Sequence, residues 1–169
     1  MILTEAQALA QSAVYALSPY CERIEIAGSI RRRKAEVKDA EIVCIPKCAN
    51  WINDLFGTEN RIDPEFIKAV QQWPALKGQP TGKYTQRLLP WGLNLDLFMT
   101  TPEQWGSILL IRTGPAEFSK RVMGSLLPRQ GYKCNEGYIW RDGTRIPTLE
   151  EADVFQLADI RWIEPWNRN

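Results

Sequence analysis

The chain contains no histidine among its 169 residues. Whatever chemistry it performs needs no imidazole, and a metal site built on histidine nitrogen is excluded. Cysteine is scarce, at four residues. Cys44 and Cys48 form a C-x3-C pair, but with no second close pair and no histidine there are too few ligands for structural zinc. Cys44 is read as a buried strand residue, and Cys21, Cys44, Cys48 and Cys134 as free thiols. No apolar run approaches the length that spans a bilayer, so no membrane partner is expected. The opening stretch MILTEAQALAQSAV lacks a basic segment and carries Glu5, so no secretory signal is expected and a cytoplasmic location is. Internal repeats and low-complexity segments are absent as well. Charge of one sign is not in excess: 21 basic against 20 acidic residues give a formal net charge of +1. A general polycation is thereby excluded.

What is present is ordinary for a globular protein, with 44% hydrophobic and 24% charged residues. The length suits one sizeable core, or one core with a small appended lobe. Two basic stretches stand out. Arg31, Arg32, Arg33, Lys34 and Lys38 crowd the first. Arg112, Lys120, Arg121, Arg129, Lys133, Arg141 and Arg145 populate the second. Such clusters in a near-neutral chain point to local anion sites.

Patterning predicts a helix from Thr4, as N-cap, to Leu17, with Ala6, Leu9, Ala10, Ala13 and Leu17 near one face. Strands follow at Arg23–Ala27 and Lys38–Ile45, with a short helix or turn beginning at Gly28-Ser29. Asp63 caps a helix reaching Trp73. Lys83–Leu89 and Leu93–Thr100 form a hairpin, with Leu93, Leu95, Leu97 and Met99 on one face and Asn94, Asp96 and Phe98 on the other. Beyond Thr100 come helices at Pro102–Ile111 and Pro115–Leu127, a short hairpin at Lys133–Trp140, and a last helix at Leu149–Leu157 capped by Thr148. The tail from Trp162 is expected to pack down. The order implies an α+β fold, a mixed or antiparallel sheet flanked by helices, with a small lobe starting near Thr100.

The chemistry is concentrated in GSIRRRKAEVKDAEIV, residues 28–43. Gly28 ends a strand without a side chain, so a bulky anion can approach its backbone. Ser29 opens a helix, where free N–H groups and a hydroxyl hold phosphate oxygens. Arg31 and Arg32 follow, and guanidinium grips phosphate through two donors at once. Asp39 and Glu41 sit at i and i+2 of a strand, so both carboxylates share a face. Asp96 interrupts the apolar run LNLDLFM, where an unpaired acid is costly. If its strand lies beside that of Asp39, three carboxylates gather into a site for two Mg2+ or Mn2+ ions. Two such ions about 3.5–4 Å apart serve in-line displacement at phosphorus.

This pattern, Gly-Ser followed by D-x-[DE] and apolar residues, resembles the signature of the nucleotidyltransferase superfamily. Within it the chain is similar to the DNA polymerase X family across nearly its whole length. AGSIRRRKAEVKDAEIV resembles the family's palm motif, and LNLDLF the strand bearing the third aspartate. RTGPAEFSKRVMGSLLPRQGYKCNEGYI resembles the thumb, and IPTLEEADVFQLADIRWIEPWNR the closing segment. The layout is that of the smallest viral members, a palm over residues 1–100 and a thumb over 101–169. The resemblance implies that Asp39, Glu41 and Asp96 bind metal and that Gly28, Ser29 and Arg32 hold the incoming triphosphate. Thr113-Gly114 would form the turn under the sugar, with Ser119 and Met123 near the base and template. Lys120, Arg121 and Lys133 are expected to meet DNA phosphates. The partners implied are gapped or primed DNA, deoxynucleoside triphosphates and a DNA ligase, with the protein acting in DNA repair as a monomer, wherever the DNA lies.

The chain departs from the family at several positions. Glu41 stands where Asp is usual, Ile111-Arg112 replace an aromatic pair, Asn94 replaces an arginine, and Met123 stands where members carry Arg. A lyase domain and a DNA-gripping helix-hairpin-helix region are not expected. Trp51, Trp73 and Trp105 are read as core, while Trp140, Trp162 and Trp166 are open to base stacking. Two other readings remain: a template-independent, RNA or small-molecule nucleotidyltransferase, and a nucleic-acid-binding module with an inactive site.

Overall fold

The computed structural model describes residues 1–50 and 60–168. Helix α1, Leu3–Leu17, buries Ala6, Leu9, Ala10, Ala13 and Leu17, the spacing that puts one stripe on the core. It starts at Ile2 rather than at Thr4, and no side chain caps it. Its start is tied down instead by backbone pairing, Leu3 N–H to Ala35 O and Val37 N–H to Met1 O.

Strand β1 (Cys21–Ile26), the short helix α2 (Gly28–Arg31) and β2 (Asp39–Pro46) follow. Then come β3 (Cys48–Asn50) and β4 (Asn60–Ile62), paired with each other, and α3 (Pro64–Gln71). Asp63 caps α3 as expected, accepting from the Glu65 N–H at 2.9 Å. Strands β5 (Ala75–Gly78), β6 (Tyr84–Leu88) and β7 (Asn94–Met99) complete the main sheet. Its order is β1-β2-β7-β6-β5. Only β2 and β7 run parallel among its neighbouring pairs, so the sheet is mixed.

The sheet's two faces follow the alternation of its strands. Ala40, Ile42, Cys44, Leu95, Leu97 and Met99 pack with α1 and α3. Val43, Ile45 and Phe98 point the other way, onto Trp105 and Leu109 of α4 (Trp105–Thr113). Further on, α5 (Ala116–Arg121) runs through a π-helical stretch, Val122–Leu126, into α6 (Leu127–Arg129). A second sheet, β8 (Lys133–Asn135), β9 (Tyr138–Arg141) and β10 (Thr144–Ile146), and helix α7 (Glu151–Leu157) close the chain. A separate core holds them together, built on Leu110, Phe118, Val122, Leu127, Ile139, Val154 and Phe155.

Helix α7 is capped by Glu150 in a reciprocal box with Asp153, not by Thr148. Thr148 is buried and links α4 to the segment before α7, its Oγ1 accepting from the Ser107 N–H and its carbonyl from the Gly106 N–H. Trp105 is fully buried, and Trp73 is partly buried against the first core. Trp51 lies outside the described residues. The tail packs down through Arg168, whose side chain is shut off from solvent. Trp162 packs on Phe155 at 4.9 Å between centroids, and Arg33 lies 3.8 Å over Trp166. Among the described residues, no helix is long and apolar enough to cross a membrane.

Candidate active site

The parallel pairing of β2 with β7 assembles the acidic cluster. Asp39 lies opposite Asn94 and Glu41 opposite Asp96. All three carboxylates occur at alternate positions with Val43 and Phe98, so they share the sheet face that carries α4. Among the described residues, no three His, Cys, Asp or Glu side chains are placed so that together they could hold a metal ion. The acids are neighbours in register, and each is half-buried.

Burial and crowding push Glu41 and Asp39 away from the charged form. Burial, then the charges of Asp39 and Asp96, raises the Glu41 carboxyl from an ordinary value of 4.5 to about 7. Burial and the Asp96 charge raise Asp39 as well. Arg32 and Arg112 offset part of the effect on Glu41.

Gly28 sits against this cluster with φ +60°. A Cβ built on it would come within 2.0 Å of Glu41 Oε2. The missing side chain therefore makes room for the cluster's own carboxylate, and the left-handed backbone favours glycine independently. Next along, the Ser29 hydroxyl is buried and has no hydrogen-bond partner among the described residues. A buried donor left unsatisfied is costly unless something binds there.

Arg31 and Arg32 reach across to the end of α4. Arg31 Nη1 donates to Thr113 Oγ1 at 2.7 Å, and Arg32 Nη1 donates to the Thr113 carbonyl. Gly114, at φ +62°, turns the chain sharply there, and a Cβ on it would meet Arg32 Nη1 at 3.1 Å. Arg32 is half-buried with its Nε unpaired, and burial draws the guanidinium below its ordinary value. The structure thus brings Gly28, Ser29, Arg32, Thr113 and Gly114 to the acidic cleft. Ser119 stands behind the turn: it is buried, and its hydroxyl donates to the Ile111 carbonyl at 3.2 Å.

Lys120, Arg121 and Lys133 are exposed, and Met123 is half-buried at the second core. Lys120 pairs with Glu117 at 3.2 Å, and Arg121 lies over Phe118.

Three neighbours of the acids and their arginines, Tyr84, Gln86 and Glu151, escaped the sequence reading. Tyr84 and Gln86 both donate to Asp96, and Arg112 lies 3.9 Å over Phe98. Burial and the bond to Asp96 push the Tyr84 phenol up to about 12. Glu151, 3% exposed, pairs with Arg31 at 2.8 Å and with Arg168 at 2.5 Å. Only the alternation of β6, which puts positions 84 and 86 on one face, could have hinted at the first two.

Known proteins resemble parts of the chain. The family model described as DNA polymerase beta thumb matches residues 108–169. The protein named DNA polymerase IV of Saccharomyces cerevisiae is 23% identical over 103 residues, 61% of this chain. The chain spans 16% of the length of that relative. With the thumb matched from α4 to the tail and a polymerase relative over 61% of its length, the chain resembles the DNA polymerase X family.

Proposed function

We propose that this protein is a DNA polymerase that adds deoxynucleotides to a DNA 3′ end and fills short gaps in repair. Residues 1–100 serve as its palm and 101–169 as its thumb. The observation that carries the reading is the in-register pairing of Glu41 with Asp96, with Asp39 on the same face beside Gly28, Ser29 and Arg32.

Oxygen donors alone, crowded enough to repel one another, fit two Mg2+ or Mn2+ ions held by Asp39, Glu41 and Asp96. An open ligand set suits Mg2+, which keeps waters and shares substrate phosphates instead of occupying an all-protein cage. When bound, such ions neutralise the charge on the attacking and leaving oxygens.

The chain's own groups do the positioning. Ser29 Oγ, unpartnered among the described residues, donates to a triphosphate oxygen. Arg32 holds the β and γ phosphates, where negative charge grows as the pyrophosphate leaves. The Thr113-Gly114 turn, fixed by Arg31 and Arg32, supports the sugar. Attack of the primer 3′-oxygen forms the new bond at the α-phosphorus as the bond to pyrophosphate breaks. Lys120, Arg121 and Lys133 reach DNA phosphates from the thumb surface, with Met123 near the nascent pair. A filled gap leaves a nick, so a DNA ligase is the partner that consumes the product.

Primer extension on a one-nucleotide-gapped duplex tests this, with Mg2+ or Mn2+ and each nucleotide offered singly. Insertion of mainly the complementary deoxynucleotide, lost in Asp39→Ala, is the expected result. Extension that ignores the template would instead identify a terminal transferase. Metal uptake with no extension on DNA or RNA primers would reduce the protein to a binding module.

A further inference from the structure

Register alone fixes where the Asp96 carboxylate begins, not where its oxygens point. A metal ligand on a two-bond side chain gains affinity when something beyond it holds its rotamer. In this chain no histidine exists to supply that support, so other donors must be sought around the acid.

Strand β6 supplies two. Tyr84 Oη donates to Asp96 Oδ1 at 2.6 Å, and Gln86 Nε2 donates to the same oxygen at 2.9 Å. The antiparallel register explains the convergence. Gln86 lies directly opposite Asp96 and Tyr84 opposite Phe98, so both donors stand on the carboxylate face.

The tyrosine is itself locked. Its ring stacks on Phe98 with centroids 5.1 Å apart and planes at 28°. The guanidinium of Arg112 lies over Phe98 at 3.9 Å. The phenol cannot leave Asp96 without giving up that stack. An acid that merely faced solvent would need neither donor.

We propose that Tyr84 and Gln86 are positioning residues for the metal site. They engage Oδ1 of Asp96 and leave Oδ2 for the cation, so that Asp96 acts as a one-oxygen ligand. The proposal rests on the metal role of Asp96 advanced above.

The test uses Mn2+ alone, with free ion followed by electron paramagnetic resonance on the nucleotide-free protein. The Mg2+ dependence of single-nucleotide insertion is followed in parallel. Tyr84→Phe keeps the stack and removes one donor, and Gln86→Leu removes the other. Each is expected to weaken Mn2+ binding and raise the Mg2+ midpoint about 10-fold, and the pair on the order of 100-fold. Affinity for gapped DNA without metal stays at the wild-type value. Single variants with wild-type Mn2+ affinity and superimposable Mg2+ curves would overturn the proposal while leaving the metal reading intact, provided Asp39→Ala loses the ion. A wild-type protein that takes up no Mn2+ would remove the metal reading and this proposal with it. Should Tyr84→Phe fail to fold, Gln86→Leu carries the same comparison.

Discussion

Glu151 is buried and Glu41 half-buried, and the two keep opposite electrostatic company. Glu41 faces Asp39 and Asp96, and its proton affinity rises accordingly. Glu151 lies between Arg31 and Arg168, at 2.8 and 2.5 Å. One region gathers like charges and leaves them unresolved. The other buries a carboxylate only with its countercharges. A fold tolerates the second arrangement as structure, because a buried ion must be paired. The first is costly in itself and is the kind of arrangement that clusters at binding and catalytic sites. Arg31 joins the two regions, since it also donates to Thr113 at the cleft.

The sharpest break of this contrast is Asp39→Ala. Nucleotide insertion should fall about a thousandfold or more, the loss expected when several kcal/mol of charge stabilisation disappears. Its thermal midpoint should hold or rise, because a repelling charge has gone. Glu151→Ala should do the reverse. Leaving the buried Arg168 unpaired should cost about 3–5 kcal/mol of stability, read by urea denaturation.

A smaller effect lies in pH. The folded state holds the Glu41 proton more tightly than the unfolded chain, about 7 against 4.5. Metal-free stability contributed by this group is therefore full at low pH and is lost as pH rises from about 4.5 to about 7. Glu41→Gln should flatten that decline, and at pH 8 the variant should be more stable than the parent by about 1–3 kcal/mol. A parent whose metal-free stability climbs across this window would contradict the crowding argument. Smallest is Glu150→Ala. It removes the α7 cap and the exposed pair with Arg23, and should cost about 1 kcal/mol with insertion unchanged.

Much of the cleft was legible in the chain because its signals are local. Alternation set Asp39 and Glu41 on one face, and a lone acid in an apolar strand placed β7 beside β2. The caps at Asp63 and the turn at Thr113-Gly114 were equally local. The Arg31–Glu151–Arg168 chain was not, since its members are far apart in sequence and carry no spacing rule. Tyr84 and Gln86 looked like ordinary strand residues until the register set them against Asp96. Strands β5 and β10 are too short to show a period. Thr148 looked like a cap because a hydroxyl before a helix serves that role, but the close approach of α4 at Gly106 gave it another partner.

The parallel pairing of β2 and β7 has a bearing on how the chain comes together and how it can change. The chain must return over the whole stretch from Pro46 to Asn94 before Glu41 and Asp96 can meet. Contacts of such separation are slow to form, so the cleft should arise late in folding, after the local helices. The same separation gives latitude, because lengthening a connection adds little closure entropy. Insertions in the loops before β5 and between β5 and β6 can accumulate while the two strand ends stay in register, and the acids with them.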